Sequence, residues 1–121
     1  MPKKVLVVDD AETIVMMQQI ILGKKYDVVV ARDGSEAVTT AIAERPDLIL
    51  LDVVMPVVGG IEACRRLRHT PETRDIPIIM VTTRSEIANI EASFKNGCND
   101  YVTKPINGLE LITKVRNFIG E

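Results

Sequence analysis

Five short apolar runs, each separated from the next by a longer segment of helical character, constrain this chain more than any other feature. They are Val5 to Val8, Val28 to Ala31, Leu48 to Leu51, Ile78 to Val81 and Tyr101 to Thr103. No hairpin turn joins successive runs, so the alternation predicts a parallel sheet covered by helices on both faces. Helix signals fill the gaps. The first helix is expected after Asp10, whose side chain offers a cap, and ends near Gly23. The second opens at Asp33-Gly34-Ser35-Glu36 with acids at its positive end and stops before Pro46. The third follows Gly59-Gly60 and runs to about His69. The fourth starts near Ser85-Glu86 and stops at Gly97. The fifth starts near Asn107-Gly108 and reaches about Ile119, with Leu111, Val115 and Phe118 at helical spacing.

Composition sets the limits. A chain of 121 residues fits one domain and needs neither disulfide nor structural zinc to hold its core. Apolar residues make up 46% and aromatics only 3%, so the core is expected to be aliphatic. A net charge of −2 offers no basic stripe for nucleic-acid phosphates and no polybasic membrane anchor. Cys64 and Cys98 lack metal-ligand spacing; they either pair or, as expected in a reducing cytosol, stay unpaired. The apolar run after Met1-Pro2-Lys3-Lys4 is too short for a signal-peptide core or a membrane span. These features read as a soluble, cytoplasmic single domain over 1–121.

The strand ends carry the chemistry. The first run ends on Asp9-Asp10, the third on Asp52, the fourth on Thr82-Thr83 and the fifth on Lys104-Pro105. In open α/β sheets, ligands bind beyond the carboxyl ends of the strands. If these runs are neighbouring parallel strands, three carboxylates, a hydroxyl and an ammonium meet at one edge. Each has an ordinary structural role when taken alone. Asp9-Asp10 could cap a helix, Asp52 and Thr82 end strands, Lys104 sit in solvent and Tyr101 belong to a half-buried strand. Taken together, Asp9, Asp10, Asp52, Thr82 and Lys104 favour a site.

An acid pair after the first strand, an Asp ending the third and followed by Met55-Pro56, a Thr ending the fourth and Lys-Pro after the fifth form a specific set. The chain from Lys4 to Ile119 resembles the receiver domain of bacterial two-component response regulators, of the single-domain chemotaxis type. The resemblance, rather than the periodicity, implies a flavodoxin-like doubly wound five-stranded parallel sheet of order 2-1-3-4-5 with five helices. It implies that Asp52 accepts a phosphoryl group from a sensor histidine kinase or phosphotransfer protein. Asp10, Asp52 and the backbone carbonyl of Val54 would bind Mg²⁺ (Mn²⁺ being an alternative occupant), with Asp9 helping through water. Thr82 would hydrogen-bond the phosphoryl group and Lys104 pair with it. Tyr101 matches an aromatic switch position, and the Lys104-Pro105 peptide is expected to be cis.

The chemistry suits those residues. Clustered carboxylates repel, and an oxygen-ligated Mg²⁺ relieves the repulsion. Lys104 supplies a point charge opposite. Such a protein is a phosphorylation-driven switch rather than a turnover enzyme, with the surface of the fourth helix, fifth strand and fifth helix as output. Ile90 and Phe94, spaced i, i+4, belong either to that face or to a helix-to-sheet core contact. The first helix has more apolar residues than one buried stripe requires. Ile14 and Met17, with Pro105 and Ile106, are therefore candidates for kinase docking or simply scattered surface hydrophobes. The expected output is contact with a downstream protein target, from a monomer or a phosphorylation-dependent dimer, without direct binding to nucleic acid and without membrane insertion.

Three positions depart from the family pattern. Val54 replaces a polar residue, which predicts slow autodephosphorylation. Thr83 stands where Ala or Gly is usual and narrows access to the pocket. Gly59 replaces an Asp, which predicts a more mobile loop from Val57 to Gly60. A non-phosphorylated pseudo-receiver acting as scaffold or adaptor is the alternative function. Enzyme readings fare worse: a flavodoxin needs a hydroxyl-rich phosphate loop after the first strand, and an aspartate-nucleophile phosphatase needs a DxD pattern there.

Overall fold

The computed structural model describes residues 2–83 and 88–120. Five strands, β1 (Lys4–Val8), β2 (Asp27–Ala31), β3 (Leu48–Asp52), β4 (Ile78–Thr83) and β5 (Asp100–Lys104), form one sheet of order β2-β1-β3-β4-β5. Every pairing is parallel. The helices are α1 (Glu12–Leu22), α2 (Gly34–Glu44), α3 (Gly60–Arg68), α4 (Ile90–Lys95) and α5 (Gly108–Ile119). The start expected for the fourth helix at Ser85-Glu86 lies outside the described residues.

Period-two alternation divides the core in two. Leu6, Val8, Ile49, Leu51, Ile78 and Met80 face one side, against Ala37 and Ala41 of α2 and Ala63, Cys64 and Leu67 of α3. Val5, Val7, Leu48, Leu50, Ile79 and Val81 face the other, against Val15 and Leu22 of α1 and Leu111, Val115 and Ile119 of α5. Because β1 and β3 are covered on both faces, they read as unbroken apolar runs.

Two helices are capped as their sequences require. Asp33 accepts from the Glu36 amide at 2.9 Å to start α2, and Asn107 from the Glu110 amide at 3.0 Å to start α5. The first helix corrects an expectation. Asp10 does not cap α1; Ala11 holds the cap position without a side-chain bond, and Asp9 Oδ1 instead accepts from the Ala11 amide at 2.9 Å. The more buried of the two adjacent acids therefore fixes the turn.

Arg68 ties the far end of the molecule together. Its guanidinium donates to the carbonyls of Gly97 (2.8 Å), Arg74 (3.0 Å) and Ile76 (2.7 Å) and to Asn99 Oδ1 (2.8 Å). Gly97 has φ +103°, and a Cβ there would stand 2.7 Å from Arg68 Cγ, so glycine both ends this segment and makes room for the arginine. Cys64 and Cys98 are buried and unpaired, as expected. Burial pushes their thiols up to about 11 and about 12, which keeps them protonated and inert at neutral pH.

Candidate functional site

Asp9 follows β1 directly, and its amide donates to the Ala31 carbonyl of β2 at 3.2 Å. Asp52 is the last residue of β3, opposite Val81 of β4. Both side chains are buried, whereas Asp10 is exposed beside them. One carboxylate oxygen from each of Asp9, Asp10 and Asp52 lies within 4.8 Å of the others. From the end of β5, Lys104 reaches over β4 and places Nζ 3.2 Å from Asp9 Oδ2 and 3.2 Å from Asp52 Oδ1. Among the described residues, Asp9 Oδ2 is buried with this ammonium as its counter-charge and no hydrogen bond.

The electrostatics follow from these distances. Burial disfavours the Lys104 ammonium, but Asp52 and then Asp9 outweigh it, so its pKa lies above the ordinary lysine value. At an effective dielectric near 20, carboxylates within 4.8 Å repel by about 3.5 kcal/mol or more per pair, and the ammonium at 3.2 Å attracts Asp9 and Asp52 by about 5 kcal/mol each. Three acids against one ammonium leave two formal negative charges. Hard oxygen donors with that residual charge suit a small divalent cation.

The other candidates take definite places. Thr82 is fully buried in β4, with Oγ1 donating to the Thr83 carbonyl at 3.3 Å. Thr83 is half-buried and pairs with Lys104 across β4 and β5. The Lys104-Pro105 peptide is cis, as expected. Val54 is exposed just beyond Asp52. The loop that follows is tied down by backbone bonds from Gly34 N to Val58 O (3.0 Å) and from Gly60 N to Val53 O (2.8 Å). At its apex Val57, 85% exposed, has φ 68°, a left-handed conformation that strains a β-branched residue.

Tyr101 is half-buried in β5 and meets Phe94 edge to face, with ring centroids 6.4 Å apart. Phe94 is exposed and Ile90 half-buried, so Phe94 is a surface residue of α4 rather than part of the core. On α1, Met16, Met17 and Ile20 are exposed while Ile14 is half-buried, so the surplus of apolar residues does face outward. Pro105 is exposed and Ile106 packs against the α1/α5 core. Sequence reasoning missed Lys114, which contacts both Asp100 and Tyr101. A cation one helix beyond an aromatic strand residue was the only available signal.

The response regulator receiver domain family matches residues 5–116. The chain belongs to that family. The receiver domain is 43% identical over 117 residues to the alkaline phosphatase synthesis transcriptional regulatory protein PhoP of Bacillus subtilis, covering 96% of this chain and 48% of that protein. It is 38% identical over 117 residues to the DNA-binding response regulator MtrA of Mycolicibacterium smegmatis, covering 96% of this chain and 50% of that one. The chain thus spans about half the length of these relatives. Chemotaxis protein CheY4 of Vibrio cholerae superposes with a TM-score of 0.91 at 32% identity, covering 98% of this chain and 100% of that one. The receiver domain of sensor histidine kinase PA1611 from Pseudomonas aeruginosa gives 0.91 at 31% identity with both chains fully covered (100% each), and carries a magnesium ion coordinated in its active site cleft. The fold class expected from sequence is the one observed. Response regulators of bacterial two-component systems receive signals from histidine kinases, and their receiver domains serve phosphorylation-dependent signalling. No helix among the described residues is long and apolar enough to cross a membrane.

Proposed function

We propose that this receiver domain is a switch whose phosphoryl acceptor is Asp52. The observation that carries the reading is the Lys104 ammonium set between Asp9 and Asp52, with an Asp10 carboxylate oxygen within 4.8 Å of theirs, at the carboxyl edge of the sheet. A carboxylate oxygen of Asp52 attacks phosphorus as the P–N bond of a partner's phosphohistidine breaks, and the imidazole leaves with the electron pair. Asp10, Asp52 and the Val54 carbonyl are assigned as Mg²⁺ ligands, with Asp9 acting through water and Mn²⁺ as a substitute. When bound, the ion offsets the charge of the transferring phosphoryl oxygens. Lys104 pairs with a phosphoryl oxygen, and Thr82 donates its hydroxyl to another.

As Thr82 turns toward the phosphoryl group, space opens for the Tyr101 ring to move inward, and the α4/β5/α5 surface changes shape. Phe94 and Ile90 belong to that surface, which contacts a downstream protein. Ile14 and Met17 on α1, with Pro105 and Ile106, dock the kinase or phosphotransfer protein. This unit acts without direct nucleic-acid contact, as a monomer or as a phosphorylation-dependent dimer. A scaffold without phosphorylation is disfavoured by a complete set of acids, hydroxyl and ammonium.

The test is intact mass after incubation with a small acyl phosphate, with and without Mg²⁺, beside Asp52→Asn. A Mg²⁺-dependent gain of one phosphoryl group, absent in the variant, is expected. No gain by folded wild-type protein would overturn the assignment in favour of the scaffold.

A further inference from the structure

We propose that Lys114 is a positioning residue for Tyr101, holding its ring in the resting orientation from α5; the proposal rests on the switch reading above. β5 is an edge strand, so a residue on its outer side needs partners other than a neighbouring strand. At Tyr101 both backbone groups are met by side chains. Its amide donates to Asp100 Oδ1 at 2.7 Å, and its carbonyl accepts from Lys114 Nζ at 2.6 Å. Nζ also donates to Asp100 Oδ1 at 3.3 Å and lies 5.3 Å from the centre of the Tyr101 ring.

One ammonium thus reads the backbone and the π-face of the same residue. The short bond to the carbonyl fixes where Nζ sits, and the ring gains from that charge only while it stays over it. Phe94 of α4 holds the ring by an edge contact, so α4 and α5 both contact it. If the ring turns inward, the ammonium keeps its carbonyl and carboxylate and loses only the ring. The ring's resting orientation and the place of Lys114 are therefore linked, and by reciprocity each biases the other. A lysine that merely capped the edge strand would leave the ring's position independent of its charge.

The experiment compares wild type, Lys114→Arg, Lys114→Met and Lys114→Gln without phosphorylation, using NMR contacts from the Tyr101 ring to Phe94 and to the Thr82 methyl. Removal of the charge in Met and Gln is expected to raise the inward population about two- to five-fold, with Arg staying at the wild-type value. Gln retains a donor for the Tyr101 carbonyl, so a folded charge-free variant is available even if Met fails to fold. Wild-type ring contacts in a folded Met or Gln variant would overturn the proposal. So would a shift in Arg equal to that in Met. Phosphoryl uptake, measured by mass on the same samples, reports separately on Asp52: its absence overturns the acceptor assignment while the ring measurement still decides Lys114.

Discussion

A Cβ on Gly60 would stand 2.0 Å from the backbone oxygen of Asp52. The start of α3 therefore packs directly on the end of β3, and the residue proposed as acceptor is held from behind by a position without a side chain. Gly60→Ala should destabilise the fold by about 1–3 kcal/mol, since the clash is with backbone and cannot be relieved by a rotamer change. Urea denaturation measures it. An unchanged midpoint would mean that the loop yields freely and does not position Asp52.

Asp10 contributes charge without a capping role. In metal-free buffer Asp10→Asn should raise stability by about 1 kcal/mol, because one of three clustered charges is removed at an exposed position. The same variant should lose Mg²⁺ binding by calorimetry. A lower midpoint in the variant would show that Asp10 supports α1 after all.

Lys104 has its pKa raised by Asp52 and Asp9 in spite of burial. A cation held more tightly in the native state gives its full stabilisation below its unfolded pKa, about 10.4, and loses it as pH rises through the higher native value. The Tm gap between wild type and Lys104→Met should stay constant from neutral pH to about pH 10 and narrow above that. A gap already closing at pH 8 would contradict the double ion pair.

Val54 projects into solvent beside Asp52 and has no group with which to align a water. The aspartyl phosphate should therefore be long-lived, and Val54→Asn should speed its loss about ten-fold, the effect of about 1.4 kcal/mol on the barrier. Mass spectrometry over time after removal of the donor provides the rates. Equal rates for the two proteins would assign control of hydrolysis elsewhere.

The strands were legible because buried parallel strands must be apolar on both faces, as Val5 to Val8 and Leu48 to Leu51 are. The strand order was not, since periodicity is the same in every order; it came from the resemblance. Asp9, Asp52, Thr82 and Lys104 were legible as polar residues closing apolar runs, and the structure places Lys104 against both Asp9 and Asp52. The cap expected from Asp10 is absent and Asp9 instead accepts from the Ala11 amide, because adjacent acids have the same local propensity and only burial separates them. The left-handed Val57 had no signal at all, since valine is among the last residues that propensity would put there. The main-chain bonds from Gly34 N to Val58 O and from Gly60 N to Val53 O, which hold the loop before α3, had no signal in side-chain identity either.

The order β2-β1-β3-β4-β5 also bears on how the molecule comes into being. Asp9, Asp52, Thr82 and Lys104 belong to stretches far apart along the polypeptide and adjoin only once every strand has docked. During synthesis, a chain that has not yet emitted β5 carries its acids without their ammonium, and their mutual repulsion opposes early closure of that edge. On the proposed assignment of Asp52 as acceptor, the edge that would take up phosphate is therefore complete only when the sheet is. A copy lacking β5 lacks the ammonium between Asp9 and Asp52, so the proposed switch would demand a fully assembled sheet.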